Sequence, residues 1–177
     1  MAKTLDELFD YLDRLDDRAD LADLLIELSQ LQVQCTDLTD FVRFSAKGYA
    51  RNLVRTGPWY SALVLCWKNG QRSPIHDHLG SSCGVRVLRG TMTETLFEFA
   101  PNGHVKAIQS RDLGPGGICG SQDFDLHQVS NLQSDDADLV TLHVYSPPLV
   151  RMGTYSLTDT QRGEELMLVE FSDAAGI

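Results

Sequence analysis

Five histidines occur in the chain, at positions 76, 78, 104, 127 and 143, and two of them share the segment SPIHDHLGSSCG. On an extended strand, side chains two residues apart point to the same face. His76 and His78 therefore aim together, and Asp77 turns away. Two imidazoles on one wall can begin a metal site, because neutral ring nitrogens ligate most first-row divalent metals. By itself, the pair fits a metal site and two surface histidines about equally well.

A second row of polar groups has the same spacing. Thr141, His143 and Tyr145 alternate with Leu142 and Val144 in TLHVYS. On a strand this puts hydrogen-bonding groups on one face and apolar ones on the other, which reads as a polar cavity or as a solvated sheet face. The four cysteines, Cys35, Cys66, Cys83 and Cys119, contain no CxxC pair, which argues against a structural zinc site built on thiolates. Cys66 and Cys119 read as packing residues, His104 in the turn PNGH as exposed, and Arg51 taken alone as a surface cation.

These side chains need elements to hold them. Thr4 and Glu7 have capping-box spacing ahead of Leu5, Leu8, Phe9, Leu12 and Leu15, which predicts a first helix. Asp20 caps a second, carrying Leu21, Leu24, Leu25, Leu28 and Leu31, and a short third is expected from Thr36 or Asp37 through Phe41 and Phe44. From Tyr60 the period changes. SALVLCW suits a buried strand, and turn signals follow at Asn69–Gly70, Arg89–Gly90, Asn102–Gly103 and Gly114 to Gly117. Turns at intervals of about ten residues favour a β-sandwich or barrel. LMLVEF at 166–171 reads as a late strand. The expectation is one domain over 1–177, with a helical cap over 1–45 and a β-barrel over 46–177.

Composition narrows the function classes. The formal net charge of −10 repels a phosphate backbone, so nucleic acid is not an expected partner. No stretch approaches the roughly eighteen apolar residues of a membrane span. The opening MAKTLDELFDYLDRLDD has no apolar signal-peptide core. A cytoplasmic protein that does not bind membranes is expected, and a monomer for one barrel.

From Gly70 to Gly90 the order is Gly, five residues, His76, one, His78, four, Cys83, six, Gly. This resembles the first motif of the cupin superfamily, with Cys83 where many cupins place a ligand Glu. His127, three intervening residues and Asn131 resemble the end of the second motif, although Phe124 stands where that motif usually has Gly. The fold implied is a mainly β, cupin-type jelly-roll barrel with a short α-helical N-terminal segment. More closely, YARNLV at 49–54, LCW at 65–67, SPIHDH at 73–78, Cys83, DLHQVSN at 125–131 and LHVYSPP at 142–148 resemble the cysteine dioxygenase family.

That resemblance implies a non-haem Fe(II) enzyme that takes L-cysteine and O2 to cysteine sulfinate. His76, His78 and His127 match the iron ligands. Arg51 matches the arginine that holds the substrate carboxylate, which suits a planar guanidinium fork, and Tyr49 lies beside it. Tyr145 matches a tyrosine next to the iron, His143 the residue that orients it, and Thr141 replaces a serine behind them. Cys83 and Tyr145 match a pair joined by a thioether, and Ser146–Pro147 a cis bond. Three readings compete with this one, and the absence of Glu at position 83 counts against the first, a cupin isomerase using zinc or manganese. Related 3-mercaptopropionate dioxygenases usually lack the arginine and cysteine matched by Arg51 and Cys83. A non-catalytic cupin that binds a metal or small ligand has no evident need for Arg51, His143, Tyr145 and Cys83 together.

Overall fold

The computed structural model describes residues 2–167, and the later part of the predicted 166–171 strand lies outside them. Helix α1 (Leu5–Asp13) starts at the expected capping box. Glu7 N–H donates to Thr4 Oγ1 at 3.3 Å, and Thr4 N–H to Glu7 Oε2 at 2.8 Å. Helix α2 (Leu21–Gln30) starts where Asp20 Oδ1 accepts from the amides of Ala22 and Asp23. The third helix is a 3-10 turn over Cys35–Phe41, so Phe44 falls beyond its end.

Two antiparallel sheets follow. One runs β1 (Ala50–Gly57), β2 (Tyr60–Trp67), β9 (Leu139–Ser146), β4 (Ser82–Arg89), β7 (Ile118–Gln122). The other runs β11 (Gly163–Leu166), β10 (Arg151–Tyr155), β3 (Ile75–His76), β8 (Leu126–Ser130), β5 (Met92–Phe99), β6 (Val105–Leu113). The sheets face each other as a jelly-roll barrel. Leu63, Val85, Met92, Val129 and Met152, drawn from both, pack in the space between them.

The outer face of the five-stranded sheet lies under the helices. Ala62 and Val64 of β2 and Val140, Leu142 and Val144 of β9 pack there with Leu8, Leu12, Leu24 and Leu28. Both faces of β2 and β9 are covered, so every residue of the two strands is buried. This is why SALVLCW reads as an unbroken apolar run. Burial of one such leucine contributes about 1.5–3 kcal/mol. The close fit has a local cause at Gly84, where a Cβ would stand 2.6 Å from Leu28 Cδ1. The turn at Gly90 takes φ 81°, a left-handed conformation that glycine adopts at little cost.

Arg18, between the helices, ties the cap to the barrel end. Its Nη1 and Nη2 reach the Asp123 carboxylate at 2.6 and 3.1 Å, and its Nε donates to Ser82 Oγ at 2.8 Å. The Ser146–Pro147 bond is cis, as the resemblance implies. Among the described residues, no helix is long and apolar enough to cross a membrane.

Candidate functional site

The two-residue strand β3 ends at His76, which pairs in register with His127 of β8. His78 follows outside regular strand, yet the alternation persists. The rings of His76 and His78 lie 5.1 Å apart by centroid. Asp77, turned the other way and fully buried, accepts from Gly153 N at 2.8 Å, Tyr155 OH at 2.6 Å and Arg162 Nη2 at 3.0 Å. These bonds brace the segment from behind. The odd spacing from His78 to Cys83 is absorbed by a turn in which Leu79 and Gly80 take positive φ of 43° and 90°. Cys83 thereby joins the interior cluster.

Nitrogens of His76, His78 and His127 all lie within 4.8 Å of one another, and the three residues are buried. Hydrogen bonds fix two tautomers. His76 Nδ1 lies 3.0 Å from the Pro74 carbonyl, and His127 Nδ1 lies 3.0 Å from Glu94 Oε1, so each Nδ1 carries the proton. On neutral rings the two Nε2 lone pairs then face one another across 3.2 Å. That arrangement repels unless a cation sits between them. Both nitrogens of His78 are buried without any partner. Burial, and next the His127 ring, push His76 down to about 3, and the same two causes hold His78 well below the usual range. Three converging buried imidazoles, with both nitrogens of His78 unpaired among the described residues, fit a first-row divalent metal.

Glu94 escapes the sequence reading. It is fully buried on β5, and its two oxygens are divided: Oε1 faces His127, while Oε2 accepts from Arg111 Nε at 2.8 Å and pairs with Nη2 at 2.6 Å. Burial pushes its carboxyl up, but the bonds from His127 and Arg111 outweigh this and hold it below the ordinary value. The available signal was the alternation in MTETLFEF, where Glu94 shares the inward face of Met92.

The opposite wall comes from the other sheet. Trp67 Nε1 donates to Thr141 Oγ1 at 3.0 Å, Thr141 Oγ1 lies 2.9 Å from His143 Nε2, and His143 Nδ1 lies 3.2 Å from Tyr145 OH. The predicted row therefore shares one face: His143 and Tyr145 line a cavity and Thr141 bonds to His143, while Leu142 and Val144 pack outside. Burial raises the Tyr145 hydroxyl above its normal range, against the pull of Arg51, so it remains a phenol. Burial likewise raises the Cys83 thiol. Cys83 and Tyr145 are direct cross-strand partners of β4 and β9. A neutral thiol beside a neutral phenol forms no bond without an oxidant.

Arg51 of β1 is buried in the same wall. It has no carboxylate partner among the described residues, its Nε is unpaired, and Nη1 reaches Tyr145 OH only at 3.5 Å. A buried cation left this way costs several kcal/mol. Tyr49 lines the cavity beside it, stacked on Trp67 at 4.2 Å between centroids. Leu65, Ser73, Val129, Leu149 and Met152 complete the lining. The remaining candidates lie elsewhere. Cys66 packs under the helices, its thiol pushed up to about 12 by burial. Cys119 is buried near Glu94, and Cys35 is half-buried. His104 is half-buried rather than exposed and lies away from the cavity, in a turn where Ala100 N–H donates to its carbonyl. Phe124 is 71% exposed and outside the cavity lining.

A sequence profile of the family described as cysteine dioxygenase type I matches residues 1–158. Cysteine dioxygenase type 1 of Danio rerio is 34% identical over 129 residues, covering 67% of this chain and 61% of the relative. The Rattus norvegicus protein of that name is 36% identical over 112 residues, with coverages of 61% and 56%. The chain thus spans about 60% of the length of the curated relatives it matches. Among solved structures, one from Thermus thermophilus superposes with a TM-score of 0.54 at 20% identity, covering 63% of this chain and 95% of that one. A Klebsiella pneumoniae protein with a double-stranded beta-helix domain gives 0.53 at 16% identity, with coverages of 73% and 87%. Both share the fold.

Proposed function

The chain belongs to the cysteine dioxygenase type I family, and on that premise we propose that it is a non-haem Fe(II) enzyme oxidising L-cysteine with O2 to cysteine sulfinate. Arg51 is the observation that carries this reading. A buried guanidinium without a carboxylate partner among the described residues, facing a cavity that ends at three histidines, is matched by a small molecule with an anion at one end and a metal-binding thiol at the other.

His76, His78 and His127 would hold the iron. When bound, Fe(II) supplies a Lewis acid with open positions and a redox-active electron source. None of the three ligands is a carboxylate, so an anionic sulfur meets no carboxylate ligand on the metal. Arg51 takes the substrate carboxylate in two charge-assisted hydrogen bonds and sets the thiol towards the histidines. In the Trp67–Thr141–His143–Tyr145 chain, Thr141 donates to His143 Nε2 and His143 Nδ1–H to the tyrosine oxygen. The Tyr145 hydrogen is then left to point into the cavity. Tyr49 and Trp67 stiffen the Arg51 side, and Leu65, Leu149 and Met152 limit the entry of water. Both oxygen atoms of O2 end on the substrate sulfur. Cys83 and Tyr145 are proposed to join through a C–S bond, losing the thiol hydrogen and one ring hydrogen to an oxidant derived from O2. Their direct opposition supports this.

We read 1–177 as one such unit, a cytoplasmic monomer that binds neither nucleic acid nor membrane. The acidic charge and four free thiols support that reading. The test is oxygen uptake by the Fe(II)-loaded protein with L-cysteine, 3-mercaptopropionate and cysteamine side by side, with products identified by mass. Uptake with cysteine and a product gaining two oxygens supports the proposal. Preference for 3-mercaptopropionate replaces the substrate, and no uptake with any thiol favours a binding protein.

A further inference from the structure

Beyond the three histidines, we propose that Glu94 is a positioning residue that sets the donor strength of His127 towards the metal, and that Arg111 sets how strongly Glu94 acts. The inference rests on the metal reading above. Its basis is the division of one carboxylate between two partners. Oε1 takes the Nδ1 proton of His127 at 3.0 Å, which turns the Nε2 lone pair towards His76 and His78. A carboxylate pulling on that proton gives the ring imidazolate character and makes it a stronger donor. Oε2 is held by both Nε and Nη2 of Arg111, whose positive charge draws electron density away from His127. The two residues therefore push the metal in opposite directions.

The placement separates this role from packing. Glu94 is fully buried, where an acidic side chain is tolerated only with such partners, while the Arg111 side chain is 41% exposed on β6. His76 differs. Its Nδ1 faces the neutral Pro74 carbonyl, and neither nitrogen of His78 has a partner. Among the three, only His127 is backed by a charge, so electronic tuning is concentrated on one ligand.

The test uses the full chain as wild type, Glu94→Gln, Arg111→Met and Arg111→Lys at pH 8. Two quantities are measured: Co(II) affinity of the metal-free protein by competition titration, and the Fe(III)/Fe(II) midpoint potential of the iron-loaded protein. Gln keeps an oxygen for His127 but removes the charge. Glu94→Gln is expected to weaken Co(II) binding about 10–100-fold and raise the midpoint. Arg111→Met is expected to lower the midpoint without weakening Co(II) binding, and Arg111→Lys to return it towards wild type. Shifts of the same sign in Glu94→Gln and Arg111→Met, or no shift in either, overturn the proposal. If Glu94→Gln does not fold, the Arg111 pair decides, since equal midpoints for Met and Lys reject the tuning role. A wild type that binds no metal at the histidines removes the metal reading and this inference together. Metal binding without thiol oxidation removes only the proposed reaction.

Discussion

The two sheets make different contributions to the cavity. The six-stranded sheet brings His76 and His127, with His78 just past β3, and backs them with polar groups: Asp77 bonded to β10, and Glu94 with Arg111 across β5 and β6. The five-stranded sheet brings Arg51, His143 and Tyr145, with Thr141 bonded to His143 and Cys83 opposite Tyr145, and its outer face rests on apolar side chains of the helical cap. Under the proposed function, metal binding and substrate binding fall to separate sheets. Polar bonds support the first and close packing supports the second.

The most severe way to break this comparison is His78→Ala. Because its nitrogens bond to nothing among the described residues, the fold should survive while iron content and thiol oxidation both fall to background. Elemental analysis beside circular dichroism checks this, and full iron retention would remove His78 from the site. Next comes Arg51→Ala on the opposite sheet. Iron content should match wild type while kcat/KM for cysteine drops about 100-fold or more, as expected for loss of a buried charge partner. Cysteamine, without a carboxylate, should be indifferent to the change, and equal loss with both thiols contradicts the assignment.

Leu142→Ala tests the outer face of β9 without touching the cavity. It should cost about 2–5 kcal/mol of stability in denaturant unfolding. Iron content and kcat/KM below the melting transition should be unchanged, and a drop in either would show that the faces are not independent. The smallest effect is expected from Cys83→Ala. Wild type after turnover should lose two hydrogens by intact mass, the variant should not, and its activity should fall only a few-fold. A wild-type mass that never changes rejects the cross-link.

Features set by local spacing were legible in the sequence. The capping box at Thr4, the Asp20 cap, the common face of His76 and His78, and the row at Thr141, His143 and Tyr145 each depend on neighbours a few residues away. Features set by pairing between strands were not. Glu94 meets His127 and Arg111 only because β5 lies between β8 and β6, and one carboxylate in a polar strand gives no hint of that order. The bond from Trp67 to Thr141 spans 74 residues of sequence. The pairing of Cys83 with Tyr145 was available only through family resemblance, because register is invisible in a single chain. Asp77 was correctly turned outward by alternation, but its three donors come from β10 and the segment after it.

Strand β9 sits between β2 and β4, yet most of the barrel precedes it in the chain. A nascent polypeptide that has not reached residue 139 therefore carries two hydrophobic strands with unpaired edges. Contacts so distant in sequence slow folding and expose the intermediate to association. The cavity wall holding Thr141, His143 and Tyr145 arrives with that same strand. Competence for chemistry should accordingly appear late during biosynthesis, and a ribosome-stalled chain ending before β9 should depend on chaperones to stay unaggregated.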